Sequence, residues 1–137
     1  MIVVDTNILI AVSILGSRSG KVHELLQRDS QWRIPQLWRY EFLNVLATYG
    51  RVGKMSPVLL SALWQKAYKE NIALEEPLDM AYALNLALIH RITGYDAQFV
   101  CLAETLNVPL ITEDRKLQAT LPRIAFSIEQ FLARPRV

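Results

Sequence analysis

Apolar residues along the chain fall into short unbroken runs and longer periodic ones. Met1 to Val4 is a brief β-branched run that stops at Asp5, and Thr6 and Asn7 offer capping side chains before a helical run from Ile8 to Leu15. Gly16 and Gly20 punctuate the next loop, Lys21 to Arg28 reads as a helix, and Trp32 to Pro35 as a second short strand. From Leu37 to Tyr49 apolar residues recur at a period close to 3.6, and Gly50 and Gly53 end that helix. Ser56-Pro57 opens another in cap and first-turn positions, with Leu59, Leu60, Leu63, Trp64, Ala67 and Tyr68 on one wide face. Ile72 to Glu76 is expected as a weak edge strand, Asp79 to Ile92 as a helix broken by Thr93-Gly94, and Asp96 as the start of a helix running to about Leu106. Val108 to Thr112 reads as a buried strand, Asp114 to Ala119 as a short helix, Ile124 to Phe126 as a last strand and Ile128 to Ala133 as a terminal helix. Short apolar strands alternating with helices predict an α/β fold around a central, mainly parallel sheet.

Composition narrows the class. A chain of 137 residues is sized for a single domain over 1–137, and 52% hydrophobic against 20% charged residues is too apolar for disorder. The net charge of +2 permits an anionic partner but is far from the excess of a protein held chiefly by DNA phosphates. The lone Cys101 excludes an intramolecular disulfide and a cysteine metal cluster; within an apolar helix it reads as an inert thiol in a reducing compartment. His23 and His90 suggest no acid–base role. No apolar stretch approaches the roughly 18 residues of a membrane span, since Ile8 to Leu15 is broken by Ser13 and Gly16. The start MIVVD lacks a basic leader, so a cytoplasmic protein without a membrane partner is expected.

Three of the five aspartates, Asp5, Asp96 and Asp114, stand where a helix is about to begin, and Asp5 and Asp114 directly follow a strand. In parallel α/β sheets ligands bind beyond the carboxyl ends of the strands, so these positions are placed to converge. Helix capping alone would account for Asp96 or Asp114 taken singly. Asp5 is less easily assigned to capping, because Thr6 or Asn7 can cap while Asp5 ends the strand. Glu41 lies four residues from both Leu37 and Val45, on or beside the apolar stripe of its helix. An acid there needs a cation, a proton or a rim position, and Arg39 is a candidate partner. Together the four acids make an oxygen-only ligand set, suited to Mg2+ or Mn2+ rather than zinc.

The segments MIVVDTNIL, RYEFLNVL around Glu41, and TGYDAQFVCLAETLNVPLITEDRKL with Asp96 and Asp114 resemble, in this order, the PIN-domain ribonucleases, and among them the VapC-type toxins of bacterial toxin–antitoxin pairs. The resemblance spans essentially the whole chain. It implies a three-layer α/β fold and a metal-dependent endoribonuclease acting on RNA. It also implies Asp5, Glu41, Asp96 and Asp114 as metal-binding and catalytic acids, supported by Thr6, Asn7, Asn44 and Thr112. Glu113, beside Asp114, is an alternative ligand, although the T-x-D spacing favours Asp114. A small cognate antitoxin that occupies the groove is implied as a partner. Where the family often carries an aromatic residue after the last acidic motif, this chain has Leu117.

Substrate contacts are less marked. Arg115, Lys116, Arg123, Arg134 and Arg136 against the single Glu129 make a basic stretch that either touches phosphates or is simply solvated; Arg115 and Lys116 are the possible RNA contacts. Trp32, Trp38 and Trp64 at helical and strand positions fit core or interface better than base stacking. The wide 59–68 face is expected to serve a homodimer. Two rivals remain at this level: a degenerate PIN domain that binds RNA or a partner without cleaving, and a phosphotransfer domain with Asp5 as nucleophile. The latter usually wants a second acid two residues on, where this chain has Asn7.

Overall fold

Strands buried on both faces need no polar alternation, and this sheet is of that kind. In the computed structural model, which describes residues 1–16 and 20–136, β1 (Ile2–Val4), β2 (Trp32–Arg33), β3 (Leu110–Ile111) and β4 (Ala125–Phe126) pair in parallel in the order β2-β1-β3-β4. The register sets Ile2 against Trp32, Val3 against Leu110, Val4 against Ile111 and Leu110 against Ala125.

Successive residues of each strand point to opposite faces, and two cores result. Ile2, Val4 and Ile111 face α1 (Thr6–Leu15), α2 (Gly20–Arg28), α3 (Trp38–Arg51), α4 (Pro57–Asn71) and α8 (Ile128–Ala133), where Leu9, Leu25, Phe42 and Phe131 are buried. Val3, Leu110 and Ala125 face α5 (Met80–His90), α6 (Gly94–Leu106) and α7 (Arg115–Thr120), and α6 buries Phe99 through Ala103 between sheet and α5. The result is the three-layer α/β fold with helices on both faces. Each fully buried Leu, Ile or Phe contributes about 1.5–3 kcal/mol relative to exposure.

Several element starts differ from expectation. Helix α1 begins at Thr6, two residues before the apolar run, because Asp5 itself is its cap, accepting from the Thr6 N–H. Helix α6 begins at Gly94 rather than Asp96, capped by the Thr93 hydroxyl. The expected edge strand at 72–76 is a 3-10 turn, Ile72–Leu74, followed by a single parallel bridge between Ile34 and Glu75. The loop expected between Gly16 and Gly20 falls on residues 17–19, outside those described.

The tryptophans belong to the core. Trp38 is fully buried, stacks on Trp64 at 5.8 Å and meets Phe42 edge-on at 5.8 Å. Its Nε1–H donates to Glu75 at 2.7 Å, and the buried Trp32 donates to the Asp29 carbonyl. The wide face of α4 is therefore partly used within the chain: Leu60, Leu63 and Trp64 pack on the core and Ala67 is buried, while Leu59 and Tyr68 stay exposed. A larger uncovered apolar stripe lies on α5, where Met80, Leu84, Leu88 and Ile89 are each more than half exposed. Cys101 is buried and burial pushes its thiol up, consistent with an inert side chain. No helix among the described residues is long and apolar enough to cross a membrane.

Candidate active site

From β1 the chain crosses to β2 on one side and later returns to β3 on the other, so the strand order reverses between β1 and β3. Such a reversal opens a crevice at the carboxyl ends of the two strands. Asp5 leaves β1 there, and Thr112 to Asp114 leave β3.

Asp5 is tied from three directions. Its Oδ1 accepts the Thr6 N–H at 2.7 Å, and its Oδ2 accepts the Thr112 hydroxyl at 2.7 Å and, more weakly, the Asn7 amide at 3.4 Å. The same Thr112 hydroxyl oxygen accepts the Asp114 N–H at 3.1 Å, so one side chain bridges the two acid-bearing turns. Thr112 is fully buried, and the Gln118 side chain holds its carbonyl at 2.7 Å. Asp114 caps α7, its Oδ1 accepting the N–H groups of Lys116 and Leu117.

Glu41 arrives from α3. Its Oε1 accepts the buried Thr6 hydroxyl at 2.7 Å, while Arg39 instead makes a two-pronged pair with Glu75 at 2.6 and 2.7 Å. That pair holds the Glu75 carboxyl below its ordinary range, with help from Trp38. It also removes Arg39 as the partner expected for Glu41. Asp96 is in the first turn of α6, where Thr93 takes the capping role and leaves the Asp96 carboxylate free of it.

The four acids come from four separate elements, and they feel one another's charge. Burial raises the Asp5 carboxyl, opposed by the Thr112 and Thr6 hydrogen bonds, and the charges of Asp96 and Asp114 raise it further. Burial also raises Glu41, opposed by Thr6, with Asp5 and Asp96 adding repulsion. Asp96 is raised by burial and by Asp114, and lowered by Thr93 and by the Lys116 charge. The donor set is oxygen-only and electrostatically strained in the sense that a cation relieves, which fits a hard divalent ion in chemistry and charge. Among the described residues no three His, Cys, Asp or Glu side chains are drawn together closely enough to hold an ion as they stand.

The remaining residues separate. Asn44 is exposed one turn after Glu41 and its carbonyl accepts the Thr48 hydroxyl, whereas among the described residues Thr6, Asn7 and Thr112 donate to Asp5 or Glu41. Glu113 turns away from Asp114 and accepts the Ile128 N–H at 3.0 Å, fixing the start of α8. Lys116 lines a cleft of about 80 Å3 together with Arg91, Thr93, Asp96, Asp114 and Thr120, whereas Arg115 lines a different hollow with Lys21 and Glu129. The basic stretch expected after residue 115 is divided by α7, which carries the chain back across the sheet, so that Arg123, and later Arg134, line a hollow at the opposite edge. The two larger hollows, of about 510 and 520 Å3, lie at that edge, with their carboxylates already engaged: Glu104 by the Tyr82 hydroxyl and Asp29 by the N-terminal ammonium at 2.6 Å. We therefore place the candidate chemistry in the smaller cleft and the adjoining acid cluster.

Sequence reasoning gave no part in the candidate site to Arg91 and Thr93, which line its cleft, or to Gln118, which holds the Thr112 carbonyl. Thr93 was legible in principle, as a threonine three residues before Asp96 and just ahead of Gly94. Arg91 sits where a helix ends, a position that usually favours glycine, and only the folded chain brings it beside the acids.

A profile described as PIN domain matches residues 2–121. Ribonuclease VapC3 of Pyrobaculum aerophilum is 32% identical over 129 residues, covering 90% of this chain and 96% of its own. Exonuclease VapC9 of the same organism is 27% identical over 126 residues, covering 92% and 93%. The crystal structure of PAE2754, also from Pyrobaculum aerophilum, superposes with a TM-score of 0.75 at 24% identity, covering 97% of this chain and 94% of that one.

Proposed function

The chain belongs to the PIN-domain family, and from that premise we propose that it is a metal-dependent endoribonuclease that hydrolyses RNA phosphodiester bonds as the toxin of a toxin–antitoxin pair. The observation that carries this reading is the gathering of four carboxylates from four elements at the carboxyl edge of the sheet, where Thr112 ties Asp5 to the Asp114 turn, Thr6 ties Glu41 beside Asp5, and Asp96 and Asp114 line one cleft. Asp5, Glu41, Asp96 and Asp114 would hold the ion. When bound, Mg2+ or Mn2+ lowers the pKa of water and neutralises charge on a phosphodiester. Thr6 orients Glu41, and Thr112 fixes Asp5 against the Asp114 turn, so the carboxylates nearest the sheet are held before substrate arrives.

Incubating the purified protein with a circular and a linear single-stranded RNA tests both parts of the proposal. Cleavage of the circle in Mg2+ or Mn2+, stopped by chelator, is expected, since a circle offers no end to an exonuclease. Chelator-insensitive cleavage would sink the metal site; cleavage of the linear strand alone would replace endonuclease with exonuclease.

We also propose two protein partners, a cognate antitoxin and a second copy of this chain. The exposed Leu84, Leu88 and Ile89 of α5 are better placed for the second copy than the partly buried face of α4. Light scattering at tens of micromolar is expected to give a dimer mass and Leu88→Glu a monomer. A monomer mass for the parent protein would remove the dimer.

A further inference from the structure

The cleft holding Asp96 and Asp114 is lined on its other side by Arg91, Thr93, Lys116 and Thr120. Among the described residues, neither the Arg91 guanidinium nor the Lys116 ammonium ends in an ion pair, although two carboxylates line the same cleft. Lys116 is near enough for its charge to act on Asp96. Arg91 is held in the left-handed region, φ 55 and ψ 42, as the residue that ends α5, with its N–H on the Ala87 carbonyl. Glycine adopts that conformation without strain, so an arginine there is conformationally disfavoured.

A polyanion approaching four carboxylates is repelled unless cations stand beside them. An unpaired guanidinium offers a planar fork that matches phosphate oxygens, and an ammonium adds a compact charge. Resting on the nuclease reading above, we propose that Arg91 and Lys116 form a phosphate subsite that takes the phosphodiester next to the one held at the acids. The subsite sets the register of single-stranded RNA against the acid cluster. Its chemistry is that of backbone recognition, indifferent to base identity.

The experiment measures anisotropy of a labelled single-stranded RNA in chelator across a salt series, and cleavage kinetics in Mg2+, for the parent, Arg91→Gln, Lys116→Gln and Arg91→Gly. Each variant is expected to lose about three- to tenfold in affinity and to flatten the slope of log K against log salt by about 0.7. In cleavage the loss should fall on KM, with kcat within about twofold. Arg91→Gly separates binding from architecture: it is expected to melt higher than the parent because glycine suits φ 55, yet to lose RNA as Arg91→Gln does. Parental affinity and salt slope in both Arg91 variants would overturn the subsite, as would losses confined to kcat. If the parent binds RNA with these losses in the variants but cleaves nothing in Mg2+ or Mn2+, the nuclease reading falls and the subsite stands. If the parent cleaves and the variants match it throughout, only the subsite falls.

Discussion

Asp5→Asn is expected to lower RNA cleavage by about three orders of magnitude or more while leaving the melting temperature in chelator no lower than that of the parent. The two halves have separate causes. The amide keeps the shape of the carboxylate and an oxygen that can accept the Thr6 N–H, so the cap of α1 survives. It loses the negative charge that a hard cation requires. The folded protein holds the Asp5 carboxyl above its ordinary value, chiefly through burial, so at neutral pH its ionised form costs stability that the neutral amide does not. One local penalty remains: an amide nitrogen turned toward Thr112 would make that hydroxyl accept where it now donates. Asp5→Ala, which removes cap and charge together, should lose both activity and stability. Turnover within about tenfold of the parent for Asp5→Asn would take Asp5 out of the site.

How far the site could be read from sequence depended on whether a local rule or a tertiary contact decided each position. Asp5 and Asp114 were legible because an acid that ends an apolar run must stand at the carboxyl edge of a parallel sheet. Glu41 was legible as an acid on an apolar stripe, but its partner was not. Arg39 is two residues away in sequence, yet the bridge from Ile34 to Glu75 brings a different acid across to it, and Glu41 turns to Thr6 instead. Asp96 was legible as a helix-start acid for which capping was the rival account, and Thr93 takes that role and leaves the carboxylate to the cleft. The parallel α/β sheet followed from the alternation of runs and the three layers from the family resemblance, whereas the 3-10 turn at Ile72–Leu74 followed from neither, because β propensity over a few residues yields to the path the chain must take toward α5. The basic stretch after residue 115 shows the limit plainly. Neighbours in sequence are parted to opposite edges by α7, and Arg91, distant from them in sequence, joins Lys116.

Asp96→Asn should show the second large effect, a loss of about a hundredfold or more in cleavage combined with a higher melting temperature in chelator at neutral pH. Its carboxyl is raised by burial and by the charge of Asp114, against smaller lowering by Thr93 and Lys116. A raised folded value means that the native state binds protons more tightly than the unfolded chain. The resulting stability is full below the ordinary carboxylate range and is lost as pH rises through the raised value. The parent in chelator should therefore lose stability from this group as pH rises above the ordinary carboxylate range, and the variant should show a flatter profile. The Arg39–Glu75 pair has the opposite sign, stabilising above the ordinary range, but it is common to both proteins and cancels in the comparison. One term works against the variant, because an acid in the first turn of α6 favours the helix dipole; at this part-buried position the repulsion and burial outweigh it. Added Mg2+ or Mn2+ should invert the ranking. A bound ion stabilises the native state by RT ln(1 + L/Kd), where L is the free ion concentration, and the parent, with one more charged ligand and so a smaller Kd, gains more. Paired melts in chelator and in metal, in acid and at neutral pH, read all of this. A variant that melts lower than the parent in chelator and gains as much from metal would show that Asp96 serves the helix and not the ion.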